Sequence, residues 1–371
     1  MDMDVEQFLR RGYLIVQSNV PSDVNEAIFE SASEICSHGS RAAARVGDGI
    51  LDAIPMLHEV LDSPPVQEAV RSVLGDCAML HGHRHLHISS SREQMWHKDS
   101  YWGFRRIRNH RPRWCMVLYY PQETTLDIGP THVLAGSQYW TLDTEDFGHG
   151  EDILVPDDGS VSMFVNGSTE QRAEMLRQAQ DGLVSRCYSH LVEPVALTVP
   201  AGSCVLMHYD LFHRAGKRLS DDGPLRCMFK FQYLRTMEPP PLPPPSAPLP
   251  EAGVAGAGGD VAPDELEPVL QDIRSWWRGE WLERPPEEAA LAEGGDAEAE
   301  EGVAELPGPD AGEVERIVAA YRLARRGAAG RSALVRALLR GEAEARAASY
   351  GLCAAGPEAM HLLLPLLQHE S

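Results

Sequence analysis

The chain has 371 residues, 43% hydrophobic and 24% charged, long enough for one enzyme-sized core and a second unit beyond it. Its net charge of −22 divides into −10 over residues 1–238 (22 Lys+Arg against 32 Asp+Glu) and −12 over residues 239–371 (11 against 23). Both parts repel a phosphate backbone, which excludes nucleic-acid binding. No apolar run approaches the ~20 residues of a membrane helix, and the acidic start Met1-Asp2-Met3-Asp4 has the wrong sign for a signal or transit peptide. Seven cysteines without a Cys-x-x-Cys pair read as buried thiols in a reducing compartment. The expected location is intracellular, in the cytoplasm.

Residues 5–10 read as a short helix that turns at Arg11-Gly12 into a strand, Tyr13-Leu14-Ile15-Val16. Residues 23–37 and 64–74 carry apolar residues at helical spacing, the second opened by Pro64-Pro65. Between Met79 and Ile88, His81, His83, His85 and His87 alternate, so that all four project from one face of a strand. A straight row rises ~6.8 Å per pair of residues, too far for four ligands to close on one ion. The expectation is therefore imidazoles lining a polar barrel interior.

The next stretch, Met95-Trp96-His97-Lys98-Asp99, sets an imidazole and a carboxylate two residues apart. On extended backbone they point the same way and supply two corners of a triad of two histidines and one carboxylate, which leaves three positions open on Fe(II). The third corner is assigned to His213, which follows the apolar strand Cys204-Val205-Leu206-Met207. Trp114 to Tyr120 is a near-continuous apolar strand ended by Pro121, and residues 141–194 form an acidic insertion with one amphipathic helix at 169–180. Residues 225–234 alternate: Leu225, Cys227, Phe229, Phe231 and Tyr233 face one way, and Arg226, Met228, Lys230 and Gln232 the other. An apolar face packed by helices and a polar face lined with ligands is what a double-stranded β-helix, or jelly roll, requires. The fold class is mainly β with flanking helices, and cupin-like.

His97, Asp99, His213 and the downstream strand residue Arg226, in that order, resemble the phytanoyl-CoA dioxygenase family of Fe(II)/2-oxoglutarate oxygenases over roughly residues 5–237. Asp127-Ile128-Gly129-Pro130-Thr131-His132-Val133-Leu134-Ala135-Gly136-Ser137 is similar to the family's turn and strand between the metal-binding elements, with Ala135 for the usual Pro and Gln138 for the usual His. The small polar residue that usually follows the distal histidine is Ala215 here and the usual Asn is Arg218, with Ser220 the nearest hydroxyl. The resemblance implies that His97, Asp99 and His213 bind Fe(II) and that Arg226 holds the far carboxylate of 2-oxoglutarate. A guanidinium offers it two parallel donors. His85 and His87 fall near the strand positions that line the cosubstrate pocket in the family. Such a site hydroxylates a small molecule with O2 and releases succinate and CO2. Halogenating relatives replace the metal-binding carboxylate by a small residue; Asp99 keeps it. The acidic surface disfavours an acyl-CoA ester among the family's substrates. A competing reading is a catalytically silent jelly roll that works as a binding module or scaffold through its tail. A cupin-like hydrolase or isomerase with no 2-oxoglutarate is a third.

The oxygenase domain is expected to end at 238, where Pro239-Pro240-Pro241-Leu242-Pro243-Pro244-Pro245 begins a stiff spacer. Residues 239–310 read as a linker, helical over 264–283 around Trp276, Trp277 and Trp281 and disordered over 285–310, where Glu, Ala, Gly and Pro dominate. Residues 311–371 read as helical. Residues 333–339 match residues 361–367 at an offset of 28, and Gly356-Pro357-Glu358-Ala359 before a Leu-rich run resembles HEAT-like repeats. Such a tail offers helices to a protein partner.

Overall fold

The computed structural model describes residues 3–37, 46–89, 93–94, 97–99, 110–139, 194–219, 225–240, 264–279, 296–308 and 310–368. The expected helix at 169–180, the insertion up to residue 193, Ser220, Trp281 and most of the proline run lie outside those residues.

Helix α1 (Met3–Arg11) ends at Gly12, which turns the chain into strand β1 (Tyr13–Gln17). Gly12 has φ +82°, and a Cβ there would stand 2.5 Å from Gln138 Oε1, so this turn needs glycine. Helix α2 (Ser22–Ser37), the short α3 (Ile50–Ala53) and α4 (Leu57–Leu61), and α5 (Pro64–Leu74) follow. The prolines of α5 sit in its first turn, where a missing N–H costs no hydrogen bond.

The strands are β2 (Ala78–Leu80), β3 (His85–Ile88), β4 (Trp114–Tyr120), β5 (Thr131–Val133), β6 (Val195–Ala196), β7 (Ser203–His208), β8 (His213–Ala215) and β9 (Cys227–Arg235). They build a larger antiparallel sheet in the order β1-β7-β4-β9-β2, with β3 also on β9, and a smaller one in the order β6-β5-β8. Side-chain alternation decides what each face meets. Cys115, Val117 and Tyr119 of β4, Cys204 and Leu206 of β7, and Cys227, Phe229, Phe231 and Tyr233 of β9 pack under Ile28, Ala32, Leu57, Val70 and Val73 of the helices. The opposite residues, Met116, Leu118, Tyr120, Val205, Met207 and Met228, meet Val133, Leu197 and Val199 of the smaller sheet side. Helices outside, two sheets face to face and a lined interior make the jelly roll that the alternation of residues 225–234 implies.

Three expectations are corrected. The histidine run is not one strand: β2 stops at Leu80 opposite Tyr233 and β3 starts at His85 opposite Lys230. Residues 81–84 thus stand against only Phe231 and Gln232, a bulge that breaks the straight row. The stretch expected to be disordered contains helix α7 (Asp296–Ala304). Ala and Glu are strong helix formers, and Ala299, Val303 and Leu306 are buried against the helices that follow. Glu300 holds Arg336 at 2.9 Å and Arg340 at 2.7 Å. The matched strings of the tail also differ. Residues 333–337 end helix α9 (Gly327–Ala337) with Ala333, Leu334 and Ala337 fully buried. Residues 361–367 form only the short α11 (Met360–Leu363), which buries no side chain, and a 3-10 turn. The tail is helical as expected, but the second matched string builds a much shorter helix than the first.

Helix α6 (Glu267–Trp277) lies within the segment expected to be helical and docks on the barrel. Trp276 is fully buried, with the guanidinium groups of Arg235, Arg113 and Arg111 at 4.9, 5.2 and 5.9 Å from its ring, and its Nε1 donates to Glu238 at 2.5 Å. Arg274 binds Glu6 of α1 at 2.5 Å and Arg111 binds Asp272 at 3.2 Å. Helices α8 (Glu313–Ala324) and α10 (Glu342–Ala355) continue this cap. Among the described residues no helix is long and apolar enough to cross a membrane, and the described cysteines are all free thiols.

Candidate metal centre

The triad is assembled by one short bridge between chain segments. His97 N–H donates to His213 O and His213 N–H donates to His97 O, each at 3.0 Å, so the two residues are directly paired across an antiparallel step. Their rings follow, with centroids 4.3 Å apart. Asp99 lies at a 3-10 turn and not on extended backbone as expected, yet its carboxylate reaches the same point, with Oδ2 3.8 Å from His213 Nε2. One ligand atom from each of His97, Asp99 and His213 lies within 4.8 Å of the others, and all three residues are buried.

The surroundings fix the ligand states. His213 Nδ1 is 3.0 Å from Leu211 O; donation of its N–H there leaves the Nε2 lone pair available to a metal ion. Burial pushes the His213 imidazole down to about 3, with His97 adding to the effect, so the ring is neutral and fit to ligate. Burial alone would raise the Asp99 carboxyl, but Lys230, His213 and His97 outweigh it and hold the group well below the usual carboxylate range. Lys230 Nζ is 3.0 Å from Asp99 Oδ2. Two imidazoles, that of His213 neutral, and one ionised carboxylate are a donor set that fits Fe(II) with positions left for ligands.

Arg226 continues the interior face of β9. Its N–H donates to Ser89 Oγ at 3.0 Å, and Ser89 N–H donates back to Arg226 O at 3.0 Å. The side chain is fully buried, and Nε, Nη1 and Nη2 have no hydrogen-bond partner among the described residues. A buried cation in that condition needs an anion. His87, one of the two histidines expected near the cosubstrate, is on the same sheet face and its Nε2 is also unpartnered among the described residues. Burial lowers the Arg226 guanidinium, an effect that nearby Tyr120 opposes, and the tyrosine hydroxyl donates to Thr131 Oγ1 at 2.9 Å. His85 is placed differently, with its Nε2 3.0 Å from His83 Nε2. Lys230, the other strand cation, is engaged by Asp99.

Of the two departures from the family's turn, Gln138 has a structural role. Gln138 Nε2 and Tyr139 OH both donate to Leu9 O, at 2.8 and 2.7 Å, tying the turn to α1. Sequence reasoning missed the layer where the cap helices meet His110. His110 stacks on Tyr350 at 4.9 Å between ring centroids, and its Nδ1 lies 2.7 Å from Tyr321 OH. Burial drives His110 down to about 3 and His208 to about 4. Only the tertiary placement of the tail reveals these contacts, and the sequence near His110 carries no signal of them.

The jelly roll thus brings two histidines and a carboxylate around one point and buries Arg226 completely. The chain belongs to the phytanoyl-CoA dioxygenase family, whose model matches residues 8–227, and is an Fe(II)- and 2-oxoglutarate-dependent oxygenase. No curated protein matches the chain by sequence. Similar solved structures include AviO1 from Streptomyces viridochromogenes Tue57, at 15% identity over 64% of this chain and 96% of that one, with TM-score 0.41. The epimerase SnoN from nogalamycin biosynthesis, in complex with Fe3+, alpha ketoglutarate and nogalamycin RO, is 15% identical over 70% and 93%, with TM-score 0.40. EctD from S. alaskensis, with 2-oxoglutarate and 5-hydroxyectoine, is 18% identical over 62% and 74%, with TM-score 0.41. The assignment rests on the family match and not on these likenesses.

Proposed function

We propose that this oxygenase hydroxylates a small-molecule metabolite with release of succinate and CO2. In this reading His97, Asp99 and His213 hold Fe(II), and Arg226 with His87 receives the distal carboxylate of 2-oxoglutarate. The observation that carries it is Arg226, fully buried with three guanidinium nitrogens unpartnered among the described residues. A dicarboxylate with one end on the metal completes that group. His85, whose ring is engaged by His83, is left out of the assignment.

When bound, Fe(II) activates O2 so that cosubstrate decarboxylation is coupled to oxidation of a C–H bond. The chain's own residues do the rest. Leu211 O orients His213, Lys230 clamps Asp99, and Arg226 aligns the cosubstrate through its planar fork. Apolar Phe212, Val133 and Met228, all buried, keep bulk water from the interior.

The test is succinate release by Fe(II)-loaded protein, screened against fractionated metabolite pools. One or more fractions should raise succinate above the uncoupled rate and yield a product heavier by one oxygen. Protein that binds Fe(II) and 2-oxoglutarate but responds to no fraction would favour the silent binding module.

A further inference from the structure

The histidine-rich run is not used up by the iron triad, and the bulge gives it a second role. Because residues 81–84 stand opposite only two residues of β9, the chain bends, and His81 N–H donating to Gln232 O at 2.8 Å is the ladder contact kept there. The bend folds His83 back on His85. Their rings are nearly perpendicular, 81° apart with centroids at 4.2 Å, and His83 Nδ1 is 3.3 Å from His85 Nε2.

A third donor comes from another segment. Asp48, in the 3-10 turn Gly47–Gly49, brings Oδ1 to 3.7 Å from His83 Nδ1. It is aimed from behind, since Arg84 N–H donates to the same Oδ1 at 3.1 Å and Arg84 Nη1 donates to Asp48 O at 3.4 Å. One ligand atom from each of Asp48, His83 and His85 lies within 4.8 Å of the others.

We propose that Asp48, His83 and His85 form a second divalent-metal site, separate from the iron triad, that takes a borderline first-row cation, Zn2+ foremost, with water completing its shell. Nitrogen donors about 2.0 Å from a tetrahedral ion stand roughly 3.3 Å apart, close to the spacing of the two imidazoles. Two nitrogens and one carboxylate oxygen suit zinc better than calcium or magnesium, which prefer oxygen alone. Burial lowers both His83 and His85, leaving the neutral rings that ligation needs. The obstacle to a metal here was the length of a straight four-histidine row, and the bulge removes it by using two histidines and a carboxylate from a neighbouring turn. A bound ion would cross-link that turn to the β2–β3 bulge. Lys230, the register partner of His85, extends instead to Asp99, so the two sites share no ligand.

Zn2+ titration of the chelator-stripped full chain, read by equilibrium dialysis with metal analysis, tests the site. Wild type should take up two equivalents, one going to the stripped triad. His97→Ala with His213→Ala should keep one, and Asp48→Asn with His83→Gln should keep the other. Asp48 is exposed, so Asp48→Asn alone tests the site in a folded protein and should weaken one equivalent at least about tenfold. Saturation of wild type at a single equivalent that only the triad substitutions abolish would overturn the second site and leave the triad standing. Retention of two equivalents by the Asp48→Asn, His83→Gln protein would overturn it as well.

Discussion

Trp276→Ala should destabilise the whole protein and not only its tail. The indole is fully buried on the barrel among Arg111, Arg113 and Arg235, contacts reaching across the segment expected to be a linker. Replacing a buried Trp by Ala costs about 3–5 kcal/mol. Part of that is the hydrogen bond to Glu238, worth about 1 kcal/mol because the carboxylate is partly exposed and also held by Arg113 at 2.6 Å. Trp276→Phe should therefore lose the smaller part of the total. Urea unfolding followed by far-UV circular dichroism reads both. A loss of about 3 kcal/mol or more with one transition means that cap and barrel unfold together, and truncation after residue 240 should then give an unstable barrel. A loss below about 1 kcal/mol, or two separated transitions with the barrel unaffected, would refute the docking argument and favour a domain independent up to 238.

Acid should weaken the fold before it protonates any carboxylate. Burial holds His110 at about 3 and His208 at about 4, against 6.5 in an unfolded chain, so the unfolded state binds protons that the folded one refuses. Their contribution is full above 6.5 and is lost as pH falls from 6.5 toward 4, by up to about 1.4 kcal/mol per pH unit for each ring; unfolding free energies that stay flat between pH 7 and 5 would contradict this. Asp99→Ala should weaken Fe(II) binding and also strand the Lys230 ammonium, at about 3–5 kcal/mol in the metal-free protein. Adding Lys230→Met should restore stability without restoring iron, and calorimetry with metal analysis separates the two effects. Because Asp99 retains its carboxylate, oxygenation in chloride buffer under labelled O2 should give labelled, unchlorinated product, and a chlorinated product would rule out hydroxylation.

The sheet was legible where one face is apolar and the other lined. The alternation of residues 225–234 placed Arg226 and Lys230 inside, and a His-x-Asp pair followed by a strand-end histidine marked the triad that the fold brings together. What was not legible depended on partners distant in sequence. Nothing in residues 79–88 announces that β9 offers two positions too few, so the bulge and the Asp48 contact were invisible. Helix α7 reads as disordered because its own apolar content is slight; α9 supplies the surface that Ala299 and Val303 bury. The Lys230–Asp99 pair decides which strand cation stays free, and only the fold sets that distance.

The central claim is that Arg226 is the cosubstrate anchor of a triad-held metal. Anaerobic calorimetric titration of Fe(II)-loaded wild type and Arg226→Met with 2-oxoglutarate tests it most directly. Loss of one partner of a buried ion pair costs about 3–5 kcal/mol, so the substitution should weaken 2-oxoglutarate binding about a hundredfold or more while Fe(II) binding stays near wild type. Unchanged 2-oxoglutarate affinity in Arg226→Met would contradict the account.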